Sequence, residues 1–208
     1  MPTQDPVVAS RDGTSSLREQ LKCETAELHL RVEAQLALLE SPLSLARYRQ
    51  VLEAFYGFYA PVEIALSQLA ATDPPLGFPL RARAGLLEND LVALGMSKRE
   101  LTELSWCAGL PPLSCREDLA GCLYVLEGAC LGGQVVAKAL QRQLDVAKGT
   151  GASFFVGDAD GTAARWRLVV IWLESLVRVG ARTEQIVDSA RATFIALARW
   201  LEQQGVSR

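Results

Sequence analysis

Cys122-Leu-Tyr-Val-Leu-Glu-Gly-Ala-Cys-Leu-Gly-Gly-Gln134 is the stretch that decides how this chain folds. Leu123, Leu126, Cys130 and Leu131 make one apolar side at helical spacing, and no proline interrupts from Leu119 to Leu144. The stretch therefore reads as the middle of a long helix. Yet it carries Gly128, Gly132 and Gly133. A glycine inside a helix costs about 1 kcal/mol relative to alanine, so the segment gives up roughly 3 kcal/mol of local preference. Gly128 and Gly132, four residues apart, stack on one face with Gly133 beside them. A helix that gives up side chains on one face lets something approach its backbone: another helix, or a flat ligand.

Outward from that helix the whole chain reads as α-helical. Residues 1–14 are polar and Pro/Ser/Thr-rich, which predicts a loose tail before a single domain over 15–208. Ser16-Leu-Arg-Glu19 has the form of a capping box and opens a helix to about Leu39. Ser44 can cap a second helix holding Tyr48, Val51, Leu52, Phe55 and Phe58, which Pro61 should kink or restart before it ends near Ala71. A helix from about Leu80 to Leu94 stops at Gly95, and Ser97-Lys-Arg-Glu100 opens a short one. After the long glycine-bearing helix, residues 149–161 read as a turn-rich connection. Two amphipathic helices, roughly 162–179 and 183–203, close the chain. No strand alternation appears, so the fold class is all-α.

Composition narrows the function. Half of the 208 residues are hydrophobic and the net charge is −3, with no Lys/Arg block that would mark a nucleic-acid surface. Five cysteines without a CxxC pair argue against a disulfide framework, and one histidine argues against a zinc site. No apolar signal segment opens the chain, and Glu127, Gln134 and Lys138 interrupt the one span near membrane length. The expectation is a cytoplasmic protein with no membrane and no nucleic-acid partner.

His29 is the only histidine. Lys22, Thr25 and Glu33 share its helix face at i−7, i−4 and i+4, and Glu33 is placed to influence the imidazole's orientation. No GxSxG elbow holds a serine for it. Nor is there a Glu-x-x-His motif for a di-iron bundle, since Ala26 stands three residues before it. A lone neutral imidazole suits a metal whose other ligands come from elsewhere, and haem iron is the obvious case.

Leu21-Lys-Cys-Glu-Thr-Ala-Glu-Leu-His-Leu-Arg-Val-Glu33 resembles the proximal-helix signature of the haem oxygenase family, and Leu123 to Gln134 its distal-helix signature. Ser153-Phe-Phe-Val-Gly157 followed by Trp166-Arg167 resembles the bacterial branch that accompanies bacteriophytochromes. The resemblance implies haem sandwiched between the two helices, as substrate and cofactor, and opened with O2 to biliverdin, carbon monoxide and ferrous iron. His29 would be the iron ligand, with Gly128 and Gly132 as the catalytic distal wall and Gly133 beside them. Lys22 matches a position that pairs with a haem propionate, Arg165 and Arg167 are further cations, and Phe194 matches a position near the haem. Gln134 could join a polar network. Many family members carry an aspartate where this chain has Ala129, a side chain that neither holds water nor relays protons.

Electrons must come from a ferredoxin or a reductase, because the chain has no flavin, nicotinamide or iron–sulfur motif. A phytochrome apoprotein is the recipient that the branch resemblance implies for biliverdin. Ala129 leaves open a non-catalytic haem carrier or sensor, and the fold leaves open a helical protein that binds another small molecule.

Overall fold

The computed structural model describes residues 15–72, 76–158 and 161–207. The expected loose tail over 1–14 lies outside the described residues. Among the described residues eight helices follow one another: α1 (Leu17–Leu36), α2 (Leu45–Ala71), α3 (Ala84–Ala93), α4 (Lys98–Glu103), α5 (Arg116–Leu144), α6 (Ser153–Val156), α7 (Thr162–Arg178) and α8 (Thr183–Gln203). There is no strand among the described residues.

The helix starts follow local chemistry. Ser16 and Ser97 each form a full capping box, with Glu19 and Glu100, and the Ser44 hydroxyl accepts from the Arg47 amide. The ends depart from expectation where distant groups intervene. α1 stops at Leu36 rather than Leu39, because Ala37 turns left-handed at φ 51° and lets Leu38 and Leu43 bury. Arg47 then donates to the Gln35 carbonyl at 2.8 Å, satisfying a carbonyl at the helix end.

Pro61 does not restart α2, which continues through it. A proline gives no amide to the carbonyl four residues earlier. That carbonyl, on Gly57, accepts instead from the Cys107 amide at 2.8 Å. α3 begins at Ala84 rather than Leu80, where the Glu63 carboxylate takes the amides of Arg83 and Ala84 at 2.7 and 3.2 Å.

α5 lies at the centre, packed on α8, α7, α6 and α2, while α1 lies on α8 and α7. By length and composition α5 could cross a membrane, yet half of its apolar window is buried in the fold. Gly121 permits the tight α5–α8 contact, since an added Cβ would sit 2.4 Å from the Ile186 carbonyl oxygen. α6, inside the stretch expected to be turns, is held by the fully buried Asp90 of α3. Its carboxylate accepts from the Ser153 and Phe154 amides at 2.7 Å each.

Candidate functional site

α1 buries Leu17, Leu21, Thr25 and Val32 and turns His29 outward, leaving its side chain half exposed. The Glu33 carboxylate stands 3.6 Å from His29 Nδ1. That is beyond a good hydrogen bond but within electrostatic reach, and it leaves Nε2 on the far side of the ring. Phe194 of α8 meets the imidazole edge to face, with ring centroids 5.9 Å apart and planes at 85°. Phe194 is in place because α8 buries a stripe of Ile186, Val187, Ala190, Phe194, Leu197 and Leu201. Lys22 and Glu33 are exposed on α1, whereas Thr25 is buried and donates to the Leu21 carbonyl at 2.7 Å.

Across from α1, the three glycines of α5 part company. Gly132 faces open space, with nothing within 4 Å of an added Cβ. Gly128 faces the indole of Trp166, whose ring atoms Cζ3 and Cη2 lie 3.6 Å from that position. Gly133 faces the other way. An added Cβ there would lie 2.4 Å from the Phe155 carbonyl oxygen, so this glycine serves the approach of α6 and not the open face on which spacing had grouped it. Gln134 joins it, donating to the Val156 carbonyl at 2.7 Å. Ala129 and Arg167 are exposed.

Arg165 is no free cation. It gives two hydrogen bonds, of 2.9 and 2.6 Å, to Glu127 Oε1, with both side chains about 95% buried, and its guanidinium lies 4.4 Å over the Phe78 ring. Arg83, also buried, donates to Cys130 Sγ and to the Phe154 carbonyl oxygen, and lies 4.1 Å over the Phe154 ring. Burial pushes the Cys122 thiol up to about 12 and raises Cys130 against the opposing pull of Arg83. Both stay protonated at neutral pH, which suits small core residues and not thiolate ligands.

A cavity of about 80 Å³ lies along α2 and α5, lined by Tyr59, Glu63, Arg83, Leu123, Leu126 and Glu127. It touches neither His29 nor Gly132, and it is well below the few hundred Å³ that a flat macrocycle needs. α1 makes its main contacts with α8 and α7 and not with α5. Among the described residues no three His, Cys, Asp or Glu side chains gather as a metal cage. One outward imidazole with a carboxylate near Nδ1, and an uncovered glycine on α5, fit an iron that brings its own equatorial ligands.

Residues 15–203 match the model of the family described as Heme oxygenase. The chain belongs to the haem oxygenase family. It is 31% identical, over 159 residues, to a heme oxygenase of Xanthomonas campestris pv. campestris (strain 8004), covering 76% of this chain and 90% of that one. Its fold is that of the NO- and CO-bound heme oxygenase from Neisseria meningitidis, with a TM-score of 0.73, 23% identity and coverage of 91% and 92%. It is also that of heme oxygenase-1 from Synechocystis sp. PCC6803 in complex with heme, with a TM-score of 0.72, 22% identity and the same coverage. In this haem oxygenase fold the sequence reading missed the Glu127–Arg165 pair and the place of Trp166. The one signal for the pair was Glu127 itself, a carboxylate inside an otherwise apolar helix, where a buried charge demands a partner.

Proposed function

We propose that the protein is a cytoplasmic, single-domain haem-degrading enzyme that opens haem to biliverdin, carbon monoxide and ferrous iron. The carrying observation is the outward His29, backed by Glu33 and Phe194, together with the uncovered Gly132 of α5, and the haem cleft of this reading lies between α1 and α5. Membership of the haem oxygenase family and the Xanthomonas campestris relative support the same chemistry.

Haem supplies the iron redox chemistry that reduces O2 and is itself the molecule cleaved. His29 would hold the iron through Nε2, with Glu33 and Phe194 placed to fix the plane of its ring. Lys22 and Arg167, both exposed, would pair with the propionates. Thr25, buried one turn before His29, faces the interior and ties its hydroxyl to the Leu21 carbonyl. Gly132 would allow a close approach to the α5 backbone, while Gly128 admits the Trp166 indole beside it. Gly133 and Gln134 act at one remove, by seating α6 against α5. With a methyl at Ala129, that side chain can neither hold nor move a proton, and backbone groups and water would have to do so. Electrons come from a ferredoxin or a separate reductase, and a phytochrome apoprotein is the proposed recipient of biliverdin.

Ala129 favours a second reading, a haem carrier or sensor without turnover. Titration of wild type and His29→Ala with haem, followed by ascorbate or reduced ferredoxin in air, separates the two. The expected result is a one-to-one complex whose Soret band decays as a biliverdin band rises, and a His29→Ala variant that has lost the iron-ligation spectrum. A complex that persists through reduction would leave the carrier.

A further inference from the structure

We propose that Trp166 is the specificity-determining wall of the cleft: it sets the in-plane orientation of the bound macrocycle, and so which bridging carbon is opened. This rests on the haem-degrading reading above.

The two ends of the cleft differ. At one end Trp166 covers Gly128, with its six-membered ring 3.6 Å from the position of an added Cβ. The same indole lies against Tyr124, with centroids 5.7 Å apart and planes at 50°. Tyr124 of α5 in turn lies against the side chain of Thr25 on α1, one turn before His29. Trp166, Tyr124 and Thr25 thus run from α7 across α5 to α1 and close that end. Beyond them His29, Ala129 and Gly132 are exposed. A planar ligand between α1 and α5 enters from the open side and abuts this wall.

The position of the indole is fixed from behind. The neighbouring Arg165 is bound twice to Glu127, and Glu127 directly precedes Gly128. One ion pair therefore registers Trp166 on Gly128. A buried pair is weak evidence for stability, because desolvation offsets its attraction, but it holds geometry well. An indole brings a large rigid edge to such a wall. Orientations of a macrocycle that differ by in-plane rotation present different edges to that indole, whereas the iron and its His29 ligand stay put. The wall therefore selects among orientations more than it changes affinity.

The test uses the full chain in its haem complex, as wild type, Trp166→Phe, Trp166→Ala and Glu127→Gln. Absorbance titration gives affinity. Proton spectra of the haem methyls in the ferric complex give the orientation populations, and chromatography after ascorbate gives the biliverdin isomers. Trp166→Ala is expected to shift the ratio of orientations, and in parallel that of the isomers, by about three- to tenfold, the worth of one aromatic contact. Trp166→Phe and Glu127→Gln are expected to move both in the same direction by less. A folded Trp166→Ala complex with wild-type populations and isomers would overturn the proposal. Where the alanine variant does not fold, Trp166→Phe decides in its place, and wild-type populations and isomers there overturn the proposal equally. Wild type that binds no haem would overturn the haem reading and this inference with it, whereas unchanged isomers from an active wild type and variant overturn the wall alone.

Discussion

The sealed and open sides of α5 use glycine for opposite reasons. At Gly121 and Gly133 an added Cβ would lie 2.4 Å from a backbone carbonyl oxygen of α8 or α6, and backbone cannot swing aside. At Gly132 it would meet nothing within 4 Å. Both kinds cost the helix the same local preference. On the sealed side the return is tertiary packing that the chain makes by itself. On the open side nothing in the folded chain compensates, and at Gly132 the reading proposed above supplies a reason in the approach of a ligand. One residue type on one helix thus separates what holds the fold together from what serves a ligand.

The largest break in that contrast is expected at Glu127. Replacement by alanine leaves the buried Arg165 guanidinium without its carboxylate, at a cost of about 3–5 kcal/mol. Urea unfolding followed by circular dichroism reads it, and a midpoint equal to wild type would show that the pair is dispensable. Next come Gly121→Ala and Gly133→Ala, each expected to cost about 2–3 kcal/mol through overpacking against backbone. Differential scanning calorimetry should place both well below wild type. A Gly133→Ala protein of unchanged Tm would mean that α6 moves away from α5 at no cost, and the sealed side would lose half its meaning.

How much of this was legible in the sequence follows the same division. Ser16, Ser44 and Ser97 announce helix starts through partners three residues away, and all three hold. The all-α class, the long central helix and the bounds of α7 and α8 follow from periodicity, which is also local. What failed depends on groups far apart in sequence. α2 continues through Pro61, where Cys107 supplies an amide to Gly57, and α6 exists because Asp90 reaches it from α3. At the site, spacing put His29, Lys22, Thr25 and Glu33 on one stripe of α1. Burial then separated Thr25 from the rest. Spacing also grouped three glycines, since helical periodicity says which residues share a face and nothing about what covers it. Trp166 over Gly128 and Phe155 over Gly133 come from segments that follow the distal helix by a loop or more, so no local pattern assigns them.

The smallest effect is the sharpest test of the contrast, because its sign reverses. Gly132→Ala adds a methyl to open space and improves helix preference, so the ligand-free protein is expected to gain about 1 kcal/mol. The same methyl would stand in the cleft facing α1, where a flat ligand must approach the backbone. Haem affinity is therefore expected to fall by about five- to tenfold, from modest overpacking against a rigid partner. Thermal melts of ligand-free protein and Soret titrations of the same preparation give the two numbers. A stability gain with unchanged affinity would place the macrocycle away from Gly132 and leave that glycine facing only solvent. A stability loss would mean that a neighbour covers it after all. Only the crossed pair of signs, set against the uniform loss expected at Gly133, matches a helix that is packed on one side and kept bare for a ligand on the other.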